Sequence, residues 1–190
     1  EFDRRIFPIL TPLAVDPGHP FPYISSLSLN LGVIVRDPVT DERRFARVKV
    51  PSLLPRFVVM PDGERFIPLE QVIGAHLSEL FPGMEVLDSV AFRVTRNADL
   101  TVEEEEADDL LAAIELELRR RRFGKAVRLE VEDDISTESL ELIRNELELS
   151  DEDVVAHAAP IDLGGLWSVY AMDRDYLKYE DFQPVTQRRL

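Results

Sequence analysis

Apolar and polar positions repeat along this chain in two rhythms, and residues 90–131 carry the longest continuous sample of both. Phe92 and Val94 alternate with Arg93 and Thr95, the period of a strand with one buried face. Thr101-Val102-Glu103-Glu104 then fits a capping box, and Ala107, Leu110, Leu111, Ile114 and Leu118 follow at helical spacing. Acid fills the first turns (the glutamates at 103–106, Asp108, Asp109) and arginine the last (119–122), an order that complements the helix dipole at both ends. Gly124 suits a left-handed stop, and residues 126–131 alternate again as a strand. A helix of about 20 residues spans roughly 30 Å. That is ample for a crossover, so the stretch predicts a right-handed βαβ unit with parallel strands.

The remaining segments follow in order. Residues 1–26 hold five of the thirteen prolines, which predicts extended surface chain with a short edge strand at Ile9-Leu10. Residues 27–35 are apolar at every odd position, a clean strand signal. After a turn at residues 37–42, residues 45–50 return with Ala46, Val48 and Val50 inward. A second hairpin joins residues 57–60 to 64–67 through Pro61-Asp62-Gly63, a sequence that suits a type I turn. Pro68 opens a helix at its first position, with Leu69, Val72, Ile73, Leu77 and Leu80 as its stripe, and Phe81-Pro82-Gly83 ends it. Ser136 caps a further helix bearing Leu140, Ile143 and Leu147. Val154 and Val155 form a short strand, and residues 163–172 a short helix around the single tryptophan, Trp167. The expected fold is α+β, a mixed sheet built from N-terminal hairpins plus a βαβ unit, with about three to four helices packed on it. The domain is set at residues 1–185, with 186–190 as a linker at the end of a polar tail.

Composition narrows the picture. A chain of 190 residues, 45% hydrophobic, supports one or at most two domains with a real core. No apolar run approaches the roughly 18 residues of a membrane span. There is no cysteine, which excludes disulfides and thiolate metal sites and is compatible with a reducing, cytoplasmic setting; peripheral membrane association stays open. Lys plus Arg number 22 against 37 Asp plus Glu, a net charge of −15. Nucleic acid is therefore not expected as a partner through the overall field. The chain opens on Glu1 and stops at Leu190, and reads as a piece of a longer protein.

Residue types alone assign no catalytic, cofactor-binding or metal residue. His19, His76 and His157 are scattered, and the pair formed by His76 and Glu79 suits a solvated helix face better than a metal. Gly164-Gly165 lacks the lysine and Ser/Thr of a phosphate loop. The helix dipole explains the glutamate run, and four consecutive arginines point around the whole helix, so they cannot converge on one ligand. Two arginines stand out. Arg96 falls at the end of a strand, just before a helix start, where phosphate binds in α/β sheets. The competing reading pairs Arg96 with the glutamates at 103–106 or with Asp99. Arg93 alternates away from Phe92 and Val94 and is expected to face solvent or a neighbouring domain.

Several long stretches, taken together, resemble one family. They are IFPILTPLAVDPGHPFPYISSLSLNL at residues 6–31, Lys49-Val50-Pro51, Leu54-Pro55-Arg56-Phe57, FRVTRNADL at 92–100, Arg121-Arg122-Phe123-Gly124 with Val127-Arg128-Leu129, and Leu177-Lys178. In this order, over essentially the whole chain, they resemble the middle, or head, domain of bacterial type 1 polyphosphate kinase. The resemblance implies a larger enzyme that reversibly transfers the terminal phosphate of ATP to polyphosphate through a phosphohistidine. It places that histidine in a C-terminal half, and none of the three histidines here matches it. It also implies ATP and magnesium in the full enzyme, with no cofactor in this segment. Partners would be other domains of the same chain and a second copy of the enzyme, with polyphosphate and ATP reached only through the parent. Arg96 and Arg93 are then the candidates to face polyphosphate. The isolated chain is expected to be inactive, serving dimer assembly and positioning beside a catalytic tunnel. The alternative is a stand-alone acidic protein-binding module.

Overall fold

The proline-rich start is anchored apolar chain. In the computed structural model, which describes residues 2–97, 124–158, 160–180 and 182–185, Phe2–Ile6 form a π-helical turn and Phe7–Ile9 a 3-10 turn closed by Leu10 N–H on the Phe7 carbonyl. Phe2, Ile6 and Leu10 are buried. Ile9 is therefore taken up in a turn, and the edge strand predicted at Ile9-Leu10 lies slightly later, as β1 (Pro12–Ala14). Next come β2 (Leu29–Arg36), β3 (Arg43–Lys49), β4 (Phe57–Val59) and β5 (Phe66–Pro68). The turn before β5 is closed by Gly63 N–H on the Met60 carbonyl, with Pro61 and Asp62 between them. Pro68 ends β5 and is the N-cap of α1 (Leu69–Gly74), one position earlier than expected. The predicted helix breaks near His76, and α2 (Leu77–Leu80) carries its second half. Then follow β6 (Glu85–Arg96), β7 (Ala126–Glu132), α3 (Thr137–Glu146), β8 (Val154–His157) and α4 (Trp167–Tyr170).

The fold is α+β. Six strands form one mixed sheet in the order β1-β3-β2-β6-β7-β8, and β4 pairs with β5 separately. Strand β2 lies inside the sheet and is buried on both faces. Leu29, Leu31, Val33 and Val35 join Ala46 and Val48 beneath Leu69, Ile73 and Leu77 of α1 and α2. Ile34 joins Phe45, Val90, Phe92, Leu129 and Val131 beneath Ile143 of α3. Gly32 permits that second layer to close, since a Cβ there would stand 2.9 Å from the Phe45 ring. Asn30 is fully buried yet satisfied: its Oδ1 accepts from Arg47 Nε at 2.8 Å and its Nδ2 donates to the Ser28 carbonyl at 2.8 Å. Helix α3 starts as predicted, with Ser136 Oγ accepting from Ser139 N–H.

The parallel pairing predicted for the strands at 90 and 126 is corrected. Strands β6 and β7 are antiparallel neighbours, with Arg93 opposite Glu130 and Arg96 opposite Ala126. Asn97 N–H donates to the Lys125 carbonyl at 2.9 Å, so the chain leaves β6 and enters β7 at the same end. Period-2 alternation carries no direction, and a long excursion does not oblige a crossover. The βαβ unit lies one step later: β7 and β8 are parallel and α3 connects them. The helix stop expected at Gly124 rests on residues outside the described ones, but the other side of Gly124 is described. Glycine is needed there because a Cβ would lie 2.0 Å from the Asn97 carbonyl oxygen. The predicted helix from Thr101, with Leu110 and Ile114, and the linker at 186–190 lie outside the described residues.

Candidate functional site

The two singled-out arginines emerge from β6 into different surroundings. Arg96 Nε donates to the Ile24 carbonyl at 2.7 Å and Nη1 to the Gly124 carbonyl at 2.9 Å. Its guanidinium carbon lies 4.4 Å from the centroid of the Tyr23 ring, a cation–π contact. Its own N–H donates to Ser26 Oγ at 3.1 Å. Arg96 thus ties the proline-rich start to the end of β6 and the entry to β7. Asp99 and the glutamates at 103–106, its other predicted partners, lie outside the described residues. Strand β6 is antiparallel to both neighbours, so Arg96 does not stand at the carboxyl end of a parallel pair.

Arg93 is half-buried and meets its own chain. Its Nε lies 3.5 Å from Oε2 of Glu130, its cross-strand partner, and its Nη1 lies 3.3 Å from Asp162 Oδ1. These contacts belong to a larger cluster that local sequence patterns do not reveal. Arg56 pairs with Glu70 through both terminal nitrogens, and Glu70 is only 3% exposed. Arg56 Nη2 also donates to the Ile161 carbonyl at 3.1 Å, and its Nε lies 4.0 Å from Asp162 Oδ2. Asp162 therefore sits between Arg56 and Arg93, in the left-handed region at φ 61°. Arg128 and His157 approach Glu130 at 3.3 and 3.6 Å. Arg56, Arg93 and Arg128 are matched by Glu70, Glu130 and Asp162, so the cluster is electrically balanced and offers little net attraction to an anion.

A cleft of about 490 Å³ opens beside this cluster, lined in part by Ser25, Ser28, Lys49, Ser52, Arg56 and Asp162. Its polar groups are largely bonded to one another: Lys49 Nζ donates to Ser25 Oγ at 3.2 Å and Ser28 Oγ to the Ser25 carbonyl at 2.8 Å. The histidines have local partners too. His76 stacks on Phe2 at 4.0 Å and its Nδ1 lies 2.8 Å from the Val72 carbonyl, while His19 Nδ1 lies 3.0 Å from Asp16 Oδ1. Among the described residues no three His, Asp or Glu side chains converge as a metal site, and no helix is long and apolar enough to cross a membrane.

Two carboxylates have shifted protonation. Burial pushes Asp88 up, but the Ser136 and Ser139 hydroxyls donate to its Oδ2 at 2.6 and 2.7 Å and hold it below the usual range. Burial pushes Glu132 up, and the N–H that Ala91 donates to its Oε2 at 3.1 Å does not reverse this. Both stitch β6 to the βαβ unit: Asp88, on β6, holds the start of α3, and Glu132, at the end of β7, holds Ala91 of β6. Among the described residues, these polar groups fix segments to one another.

Comparison with known proteins agrees with the resemblance read from the residues. The family model described as the polyphosphate kinase middle domain matches residues 1–169. Polyphosphate kinase from Streptomyces coelicolor is 57% identical over 189 residues, covering 100% of this chain and 25% of that protein. The enzyme from Mycobacterium tuberculosis is 49% identical over 199 residues, covering 97% of this chain and 27% of its own length. Among solved structures, polyphosphate kinase from Porphyromonas gingivalis superposes with a TM-score of 0.70 at 25% identity, over 98% of this chain and 26% of that one. The chain spans about a quarter of the length of these relatives. With its sheet, its helices and most of its length matched in this way, the chain belongs to the polyphosphate kinase family, as the middle domain.

Proposed function

We propose that this chain is the non-catalytic head domain of an enzyme that transfers the terminal phosphate of ATP to polyphosphate. In this reading it serves dimer assembly and holds its neighbours beside the catalytic tunnel. The observation that carries it is the inward commitment of the cations: Arg56, Arg93 and Arg96 each meet acceptors of their own domain. A polyanion site needs preorganised positive charge facing the ligand. The commitment of these three arginines supports a reading in which no step of the transfer is routed through them. ATP, magnesium and the phosphorylated histidine are assigned to the rest of the enzyme. Identity of 57% over the full chain with a polyphosphate kinase favours this over a stand-alone acidic binding module.

The test is direct. The purified chain is incubated with magnesium, radiolabelled ATP and a polyphosphate primer. No polyphosphate elongation and no acid-labile, base-stable phosphate on His19, His76 or His157 is the expected result. Turnover with such a phosphohistidine would overturn the reading.

A further inference from the structure

We propose that residues 163–185 form the docking surface on which the remainder of the same polyphosphate kinase chain packs against this domain. The proposal rests on the head-domain reading and adds to it the surface and its occupant. Nine of the nineteen exposed large apolar side chains among the described residues fall in this stretch, far above its share of the chain. Trp167 is 73% exposed, Tyr176 80%, Phe182 87% and Tyr179 98%. Aromatic residues at this density are the composition of a protein interface rather than of a linker.

The stretch is built as a surface. It leaves the domain from a fixed point: Ile161 is buried, its carbonyl accepts from Arg56, and Asp162 is held between Arg56 and Arg93. Gly165 then presses onto Arg56, where a Cβ would come within 2.4 Å of Cγ. Beyond that anchor one aromatic pair forms. Trp167 stands edge-on to Tyr170 with centroids 5.7 Å apart, and Lys178 Nζ lies 5.6 Å from the Tyr170 centroid. The stretch is thus anchored at its start by a half-buried charged clasp and carries one aromatic pair beyond it, with Tyr176, Tyr179 and Phe182 held out to solvent.

The occupant follows from the comparisons and from charge. The middle-domain match ends at residue 169, while the relatives' similarity spans the whole chain and three quarters of their length lies elsewhere. Residues 170–185 thus lie beyond the family's middle-domain match yet within the similarity to the whole enzymes. Asp173, Asp175, Glu180 and Asp181 outnumber Arg174 and Lys178, which disfavours an anionic lipid surface. Exposed Trp, Tyr and Phe in an acidic setting match a protein surface bearing basic residues.

The experiment uses the full-length enzyme with Tyr176→p-benzoylphenylalanine, made as a mixture of isotopically heavy and light subunits and irradiated. Tyr176 is exposed, so the replacement leaves the packing of the domain in place. The expected result is cross-links from residue 176 to same-isotope residues outside residues 1–190. Heavy–light cross-links would put a second copy on this face and overturn the proposal. Cross-links confined to residues 1–190, or none, would overturn it as well. Sedimentation of the same sample reads the assembly role independently, so failure of one reading is distinguishable from failure of the other.

Discussion

Arg96 fastens three segments with one side chain. A hydrogen bond from a charged donor contributes about 1.5–3 kcal/mol when its partner would otherwise be left buried. Arg96→Ala is expected to lower stability by about that amount in urea denaturation of the isolated chain. In the full-length enzyme the Michaelis constant for polyphosphate should then be unchanged. A raised constant at unchanged stability would restore the phosphate-facing reading of this residue. Asp88 and Glu132 give opposite pH signatures. The folded pKa of Asp88 lies below its unfolded value of about 3.9, so its contribution is present above that value and is lost as pH falls through the folded one. Glu132 is raised, so its contribution is complete below about 4.3 and is lost as pH rises through its folded value. Asp88→Ala, which strands the Ser136 and Ser139 hydroxyls, should cost about 1–3 kcal/mol near neutral pH and less in acid. Glu132→Gln should instead hold or raise stability near neutral pH. Thermal melts between pH 3 and pH 7, a range set by ordinary carboxylate pKa values, check both signs; equal penalties for Asp88→Ala at each end would contradict the assignment.

At the scale of elements, what could be read in the sequence was local. The apolar alternation of β2, the Met60–Gly63 turn and the Ser136 cap each depend on neighbours a few residues apart, and each is present. Strand direction was not legible, because β6 and β7 have the same alternation whether parallel or antiparallel. The charged clasp was invisible for another reason: Arg56 meets Ile161 across 105 positions and Arg93 meets Asp162 across 69. No spacing rule reaches that far, and Glu70 reads as an ordinary acid in the first turn of α1. Its burial makes it testable. Glu70→Leu removes one partner of a buried ion pair and leaves Arg56 with the Ile161 carbonyl and a distant Asp162, an expected loss of about 3–5 kcal/mol. The double replacement Arg56→Met with Glu70→Leu should lose much less, since burying two apolar groups carries no desolvation cost. Guanidinium denaturation of both variants decides it. A double variant as unstable as the single one would show that the clasp acts through Asp162 and Ile161 rather than through Glu70.

At the scale of the whole molecule, two sets of exposed apolar side chains lie apart in sequence, which suits a domain with two kinds of neighbour. Residues 163–185 are assigned above to the same chain. The other set comprises Phe7, Ile9 and Leu13 of the proline-rich start with Leu53 and Val59, all exposed; Val59 also lines, with Arg5, Ile6, Leu54, Phe57 and Val58, a cleft of about 240 Å³. It is the candidate for the dimer contact within the proposed assembly role. A stable dimer usually buries about 800 Å² on each partner, more than five scattered side chains supply, so the isolated chain should associate weakly. In the full-length enzyme the same face should matter more, because other domains extend it. Leu53 is 94% exposed, so Leu53→Asp leaves the fold of this domain untouched. Combined with Ile9→Asp it places two charges in the contact, where like charges on two copies must be desolvated facing one another. Sedimentation velocity of that full-length variant is expected to show weaker self-association than the unaltered full-length enzyme at the same concentration, with the melting temperature of the domain unchanged. An unchanged dimer would remove this face from assembly and leave the head domain with positioning alone.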